Sequence, residues 1–169
     1  HVNKVLQLSN GNIAVVGNFT FTIGAFTYNN YFQVTSTGVI ITSSAVGCNQ
    51  EVMDVMELAG NKIILGGKFT QYKGVNCHYA VVVDATSTRD MNSAIQPREY
   101  ISGGVTGGVL RFRKNPSNNE VFVVGQFMSP VSGSSQRGLF SLYRFRPKTN
   151  TPTEYECLQL GVSNNDYGI

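Results

Sequence analysis

Cys77 and His78 are adjacent, the one place in the chain where a thiol and an imidazole meet. A metal site or a thiol–imidazole pair needs both side chains on one centre, and neighbours in an extended strand point to opposite sides. The other histidine, His1, is terminal; Cys48 and Cys157 are distant, and no Cys-x-x-Cys occurs. Three cysteines at unrelated spacings make no disulfide framework either and read as small buried or half-exposed thiols. Asp54 and Glu57 lie three apart, on opposite faces of a strand, whereas acid catalysis needs two carboxyls converging in a cleft. Each reads as a solvated strand or turn acid. Gly103-Gly104-Val105-Thr106-Gly107-Gly108 lacks the Lys-Ser/Thr ending and the helix of a phosphate loop, and reads as a connection between units. Asn18-Phe19-Thr20 spells a glycosylation sequon inside a strand and is taken as coincidence. No catalytic, metal or cofactor-binding residue is assigned. The expectation is a protein that is not an enzyme and uses no cofactor.

The charged feature that does suggest a task is cationic. Arg111 and Arg113 alternate with Leu110 and Phe112, and Arg144 and Arg146 alternate with Tyr143 and Phe145. Each pair lies on one strand face. If the two strands share a sheet face, four guanidinium groups gather on it, suited to carboxylates on an acidic partner or an anionic glycan.

Strands must position these groups. Only 14% of the 169 residues are charged, 18 are glycine, and β-branched and aromatic residues abound. No stretch repeats apolar residues at helical spacing, so the fold class is all-β. A net charge of +3 is mild for a nucleic-acid binder, and no apolar run approaches a membrane span. The expected partners are therefore other protein chains or further blades, with a glycan possible, and neither nucleic acid nor inserted membrane. The chain opens on His1 without a signal-peptide pattern, and is read as a segment of something longer.

Three segments share one grammar: Val5-Leu6-Gln7-Leu8, Val55-Met56-Glu57-Leu58 and Val109-Leu110-Arg111-Phe112, each followed by a turn and a second strand. The second strands end on a Gly-x-Phe landmark, Gly17/Phe19, Gly67/Phe69 and Gly125/Phe127, at intervals of 50 and 58 residues. Aligned so, the third copy carries a four-residue insertion in its turn around 114–119. A third strand is expected 13 residues after each landmark phenylalanine, at Phe32, Val82 and Phe140. Four strands per unit follow: in the first, 28–36 and 39–44 complete the set; in the second, 52–59 and 62–69 form a hairpin over Gly60-Asn61, then 79–85 and 91–95; in the third, 139–146 and 154–160. The unit boundaries are 2–51, 52–106 and 107–160, with 161–169 opening a further connection. Four short antiparallel strands at this period are a β-propeller blade, so the fold expected is an arc of three blades of a larger propeller. The glycine marks a place without room for Cβ, and the phenylalanine packs between blades.

The runs Asn61-Lys62-Ile63-Ile64-Leu65-Gly66-Gly67-Lys68-Phe69-Thr70 and Ala80-Val81-Val82-Val83-Asp84 resemble the delta-60-repeat β-propeller family, and Gly11–Thr20 resembles it too. The resemblance implies tandem blades of the kind found in phage tail or virion proteins and in bacterial surface proteins. The function it implies is a non-enzymatic structural or adhesive module, extracellular or virion-associated, in a tail fibre, baseplate or other virion protein. The alternative is a glycan- or peptide-binding propeller of a secreted or cell-surface bacterial protein, reading its ligand through loops 71–76, 115–119 and 129–138.

Overall fold

The computed structural model describes residues 1–77, 79–85, 108–118, 120–126, 141–147 and 155–159. These residues are built from β-strands, with one short 3-10 turn at Thr42–Ser44 and no α-helix. Strands β1 (Val2–Gln7), β2 (Ile13–Ile23) and β3 (Phe26–Val34) form a first antiparallel sheet. Strands β4 (Val52–Leu58), β5 (Lys62–Gly67) and β8 (Ala80–Asp84) form a second, with β6 (Gln71–Tyr72) and β7 (Val75–Asn76) as a small hairpin beside it. Strands β9 (Gly108–Lys114), β10 (Val121–Gln126), β11 (Ser141–Pro147) and β12 (Tyr155–Gln159) form a third sheet in the order β12-β11-β10-β9.

The hairpins follow from their turn residues. Leu58 pairs Lys62 across Ala59-Gly60-Asn61, where Gly60 and Asn61 both take positive φ, 71° and 56°. That is the left-handed conformation which glycine and asparagine tolerate best. The third hairpin closes from Asn115 N–H to Glu120 O at 2.7 Å, with the Asn115 and Asn118 side chains accepting from the Ser117 and Glu120 amides.

The sheets stack face to face. One core lies between the first two, where Leu8, Ala14, Val16 and Tyr31 meet Val52, Val55, Ile63, Leu65, Phe69, Val81 and Val83. A second lies between the second and third sheets, where Leu58, Ile64, Ala80 and Val82 meet Val109, Phe112, Val121 and Val123. The central sheet is thus buried on both faces, which is why β8 reads Ala-Val-Val-Val without a polar alternate. Removing a side chain such as Phe69 from water contributes roughly 2–3 kcal/mol.

Each unit carries one irregularity at the same place. The pairing shifts between Val2 and Lys4 opposite Gly17, between Val52 and Asp54 opposite Gly67, and between Val109 and Arg111 opposite Gly125. Asn3, Met53 and Leu110 are therefore the extra residues of three β-bulges, and each bulge faces a landmark glycine. A Cβ on Gly17 would run into the His1 carbonyl oxygen, and one on Gly67 into that of Glu51. The expected lack of room is real, and its cause is the bulged neighbouring strand.

The bulge also corrects the alignment of the units. Because it adds a residue, Val52 and Val55 face the same core although they are three apart, and so do Val109 and Phe112. Phe112, rather than Val109, is the counterpart of Val55. The third turn is then longer than the second by one residue, not four, since Lys114 pairs Val121 where Glu57 pairs Ile63. The third strands stand where the 13-residue spacing puts them, Phe32 on β3 and Val82 on β8, but their registers differ by one residue. Phe32 pairs Val15, but Val82 pairs Ile64, whose counterpart in the first unit is Ala14. The reason is that β2 and β3 run on as one long hairpin to Ile23 and Phe26, whereas in the second unit that extension breaks off as β6–β7. The fourth strand expected at 39–44 is reduced to a single bridge, Val34 to Ile40, before the chain turns into the 3-10 segment. Phe127, Phe140 and the strand expected at 91–95 lie outside the described residues.

Candidate functional site: a charged seam between two open faces

The bulged strands β1, β4 and β9 are each the edge of their sheet. Bulges leave backbone N–H groups without ladder partners, and a buried donor must find another. Here one carboxylate serves two sheets. Asp54, 1% exposed, accepts from its neighbour Val55 N–H at 2.9 Å through Oδ1 and from Phe112 N–H at 2.7 Å through Oδ2. Val55 and Phe112 occupy the same place in consecutive units. Lys4 Nζ, from the first sheet, donates to Oδ1 at 2.6 Å. Lys4, Asp54 and Arg111 themselves occupy one repeat position, each directly after its bulge, and Arg111 reaches back to the Met53 carbonyl at 3.4 Å.

Two further acids of β4 and its approach tie it to the first sheet. Glu57 accepts from the Ser9 N–H at 2.9 Å and from the Ser9 hydroxyl at 2.6 Å. Glu51 accepts from Lys68 Nζ at 2.9 Å and Asn3 Nδ2 at 3.1 Å, with His1 Nε2 at 3.3 Å. The Lys68 hydrogen bond, then that of Asn3, holds the Glu51 carboxyl below the usual carboxylate range. Asp54 and Glu57 do stand on opposite faces of β4, as their spacing requires, the first toward Phe112 and the second toward Ser9. Neither is a free solvated acid. Both act as ties between sheets.

The thiols sit in the core. Cys48 and Cys77 are free and fully buried, packed with Tyr31 and Tyr72. Burial raises both; Cys48 stands well above an ordinary thiol and Cys77 is pushed up to about 12. Such thiols are protonated and poor nucleophiles. His78 lies outside the described residues, as does the glycine-rich run before Gly108, and Cys157 is placed only as a position on β12 opposite Phe145. Among the described residues no cluster of His, Cys, Asp and Glu could hold a metal ion.

The ends of the stack present two different faces. On the first sheet, the face turned away from the second carries Val5, 59% exposed, although its counterpart Val55 is 0% exposed. Phe19, Phe21, Tyr28 and Phe32 cluster on that side, Phe21 stacked on Tyr28 at 5.1 Å and edge-on to Phe32 at 5.0 Å. So Phe69 packs between sheets as a landmark phenylalanine should, while Phe19 takes the equivalent place with its neighbours being its own sheet. On the third sheet, Arg111 and Arg113 are exposed beside Val124 (36%) and half-buried Phe122. The register sets Arg113 and Arg144 both opposite Phe122, and Arg111 and Leu142 both opposite Val124. Arg146, two positions along, pairs Glu156 of β12. All four arginines thus hold register positions of one parity, on two strands separated by β10.

What sequence reading missed is the seam. Its signal was present as Lys4 and Asp54, opposite charges at the same place in units 50 residues apart. Asn30, buried with φ 63°, was also missed; it accepts from Phe19 N–H and donates to the Cys48 carbonyl.

Compared with protein-family models, curated proteins and solved structures, the chain matches none. Fold and seam therefore define a class by architecture alone: an all-β chain of several small antiparallel sheets, joined at successive faces.

Proposed function

We propose that the chain is an arc of a β-propeller, each sheet belonging to one four-stranded blade, and that it serves as a non-enzymatic structural or adhesive module of a larger assembly, such as a phage tail fibre, baseplate or other virion protein. The observation that carries this reading is the repeated joint. A bulged edge strand and its glycine recur in all three units, and the same two faces meet at both joints. A joint that is used twice can be used again, which is how blades are added around an axis. The order β12-β11-β10-β9 is that of a complete blade, and the Ile40 bridge stands where the first blade would gain its outer strand. The resemblance to delta-60-repeat propellers points the same way. Three blades fall short of the about 4–8 that close a ring, so further blades or chains complete it.

The test is the mass and context of the native protein, with an electron-microscopy reconstruction of whatever particle carries it. A ring of blades within a large particle is the expected result. A free, closed propeller that binds on a glycan array would instead favour a secreted or surface-anchored recognition protein, and a sandwich of sheets without a common axis would overturn the propeller reading.

A further inference from the structure

Consecutive units meet through a receiving face. Val52 and Val55 on β4, with Phe69 beyond the landmark glycine, are fully buried against the first sheet, and Val109 and Phe112 on β9 are fully buried against the second. Across the receiving face of the second sheet runs the row Val55–Leu65–Val81. Beside it the hairpin β6–β7 holds the link that leads out of the first unit. Asn49 N–H donates to the Gln71 carbonyl at 3.1 Å, and Lys73 N–H to the Gly47 carbonyl at 2.8 Å.

The first sheet carries the same face. Its row is Val5–Val15–Phe32, with Val2 at the place of Val52 and Phe19 at that of Phe69. Val2 and Val5 are exposed, and so are Ile23 and Phe26 at the tip of the corresponding hairpin. Residues 1–50 hold no Asp, Glu or Arg, and their one lysine, Lys4, is turned to Asp54 on the opposite side. An anionic glycan or a nucleic acid therefore finds no side-chain cation on this face, whereas an apolar sheet fits it.

A backbone donor says more about the occupant. Leu8 N–H donates to the Asn12 carbonyl at 2.8 Å, so by alternation along β1 the Val5 N–H points off the sheet edge, as those of Val55 and Phe112 do. Val55 N–H is met by Asp54 of its own unit, and Phe112 N–H by Asp54 of the unit before. At that repeat position the first unit has Lys4, as the third has Arg111, and an ammonium accepts no hydrogen bond. A sheet laid over Val5 takes water away from this donor, which then needs an acceptor from the incoming unit.

We infer that this face of the first sheet seats a further unit of the same repeat, with an Asp or Glu directly after the bulge of its edge strand, accepting Val5 N–H as Asp54 accepts Phe112 N–H. Charge then alternates along the joints: an acid, Lys4, Asp54, Arg111. The inference rests on the propeller-arc reading for the repeated joint and adds the chemistry of the contact at Val5.

The experiment places a photoreactive side chain, Val5→benzoylphenylalanine, in the intact native protein and identifies the cross-linked peptide by mass spectrometry. Amide exchange at Val5 is followed in parallel on the unsubstituted protein, so the result does not depend on how the variant folds. The expected cross-link is to a sheet with the same bulge and landmark glycine, whose residue after the bulge is Asp or Glu. Exchange of the Val5 amide should be slowed about hundredfold or more relative to an open strand edge. A repeat unit with a neutral or basic residue at that place, such as the third unit of a second copy with its Arg111, would overturn the inference. So would a partner without the repeat, or no cross-link together with an unprotected Val5 amide. A ring of blades in the reconstruction with a non-acidic neighbour at Val5 would leave the propeller reading standing without this inference. Sheets lacking a common axis would remove the propeller reading, while the cross-link would still report what covers Val5.

Discussion

The Oδ2 atom of Asp54 accepts the backbone N–H of Phe112 at 2.7 Å, 58 residues further along the chain. Since the other oxygen of the same carboxylate takes Val55 N–H and the Lys4 ammonium, one buried acid holds three sheets. It does so at the position where a bulge in each edge strand would otherwise leave a donor unmet.

Replacing Asp54 by Ala should therefore cost more than any other single change at the seam, about 3–5 kcal/mol, because it strands two amides and an ammonium together. Lys4→Met should cost less, about 1–3 kcal/mol, since two backbone donors remain on the carboxylate. Urea unfolding of the two variants against wild type checks the order; equal costs would mean that the ammonium alone matters.

The landmark glycines should not tolerate a methyl group. Gly67→Ala places Cβ against the Glu51 carbonyl and should destabilise by about 2–4 kcal/mol, and Gly17→Ala meets the His1 carbonyl and the Val2 Cα in the same way. Gly66→Ala meets Val109 and Phe112 side chains, so it should loosen the joint with the third sheet in particular. Amide exchange on β9 and β10 separates that local effect from the global one.

Val5 and Val55 share a repeat position and differ in surroundings. Val55→Ala should cost about 2 kcal/mol or more, and Val5→Ser close to nothing or a slight gain in solubility. Thermal melts of the two variants, run side by side, read the difference.

Acid should weaken the first joint through Glu51. Its carboxyl is held below the ordinary 4.5 in the fold by Lys68 and Asn3, so the stability it contributes is present above that value and is lost as pH falls through the lowered one. Urea midpoints taken between about pH 6 and pH 3 should fall for wild type and fall less for Glu51→Gln.

Cys48 and Cys77 should resist alkylation in the folded protein. Burial keeps both thiols protonated well past neutral pH, and iodoacetamide reacts with the thiolate. Peptide-resolved mass spectrometry should show both labelled only after denaturant is added, and rapid labelling in buffer would place them at the surface.

Much of the architecture was legible in the sequence because Gly-x-Phe recurs for a steric reason. The hairpin over Gly60-Asn61, the doubly buried β8 and the shared parity of the four arginines all follow from turn chemistry and alternation. The register of the third unit was not legible, because a bulge converts a spacing of two into one of three and disguises Phe112 as the partner of Leu58. Nor was the loss of the strand at 39–44, where the pairing ends in Thr-Ser-Ser and leaves a bridge. The carboxylates misread as solvated acids show the same limit. Asp54 looks polar and exposed on a strand until a second sheet closes over it, and only the alignment with Lys4 hints at that.

The bulge opposite each landmark glycine also governs which changes of length the chain can inherit. A residue gained in a turn alters only the turn, as the third hairpin illustrates. A residue lost at Asn3, Met53 or Leu110 would turn the rest of that strand inside out, sending the apolar side to water. Changes of length in the loops therefore leave the joints between sheets as they are, whereas a single deletion at the three-residue step of an edge strand undoes one.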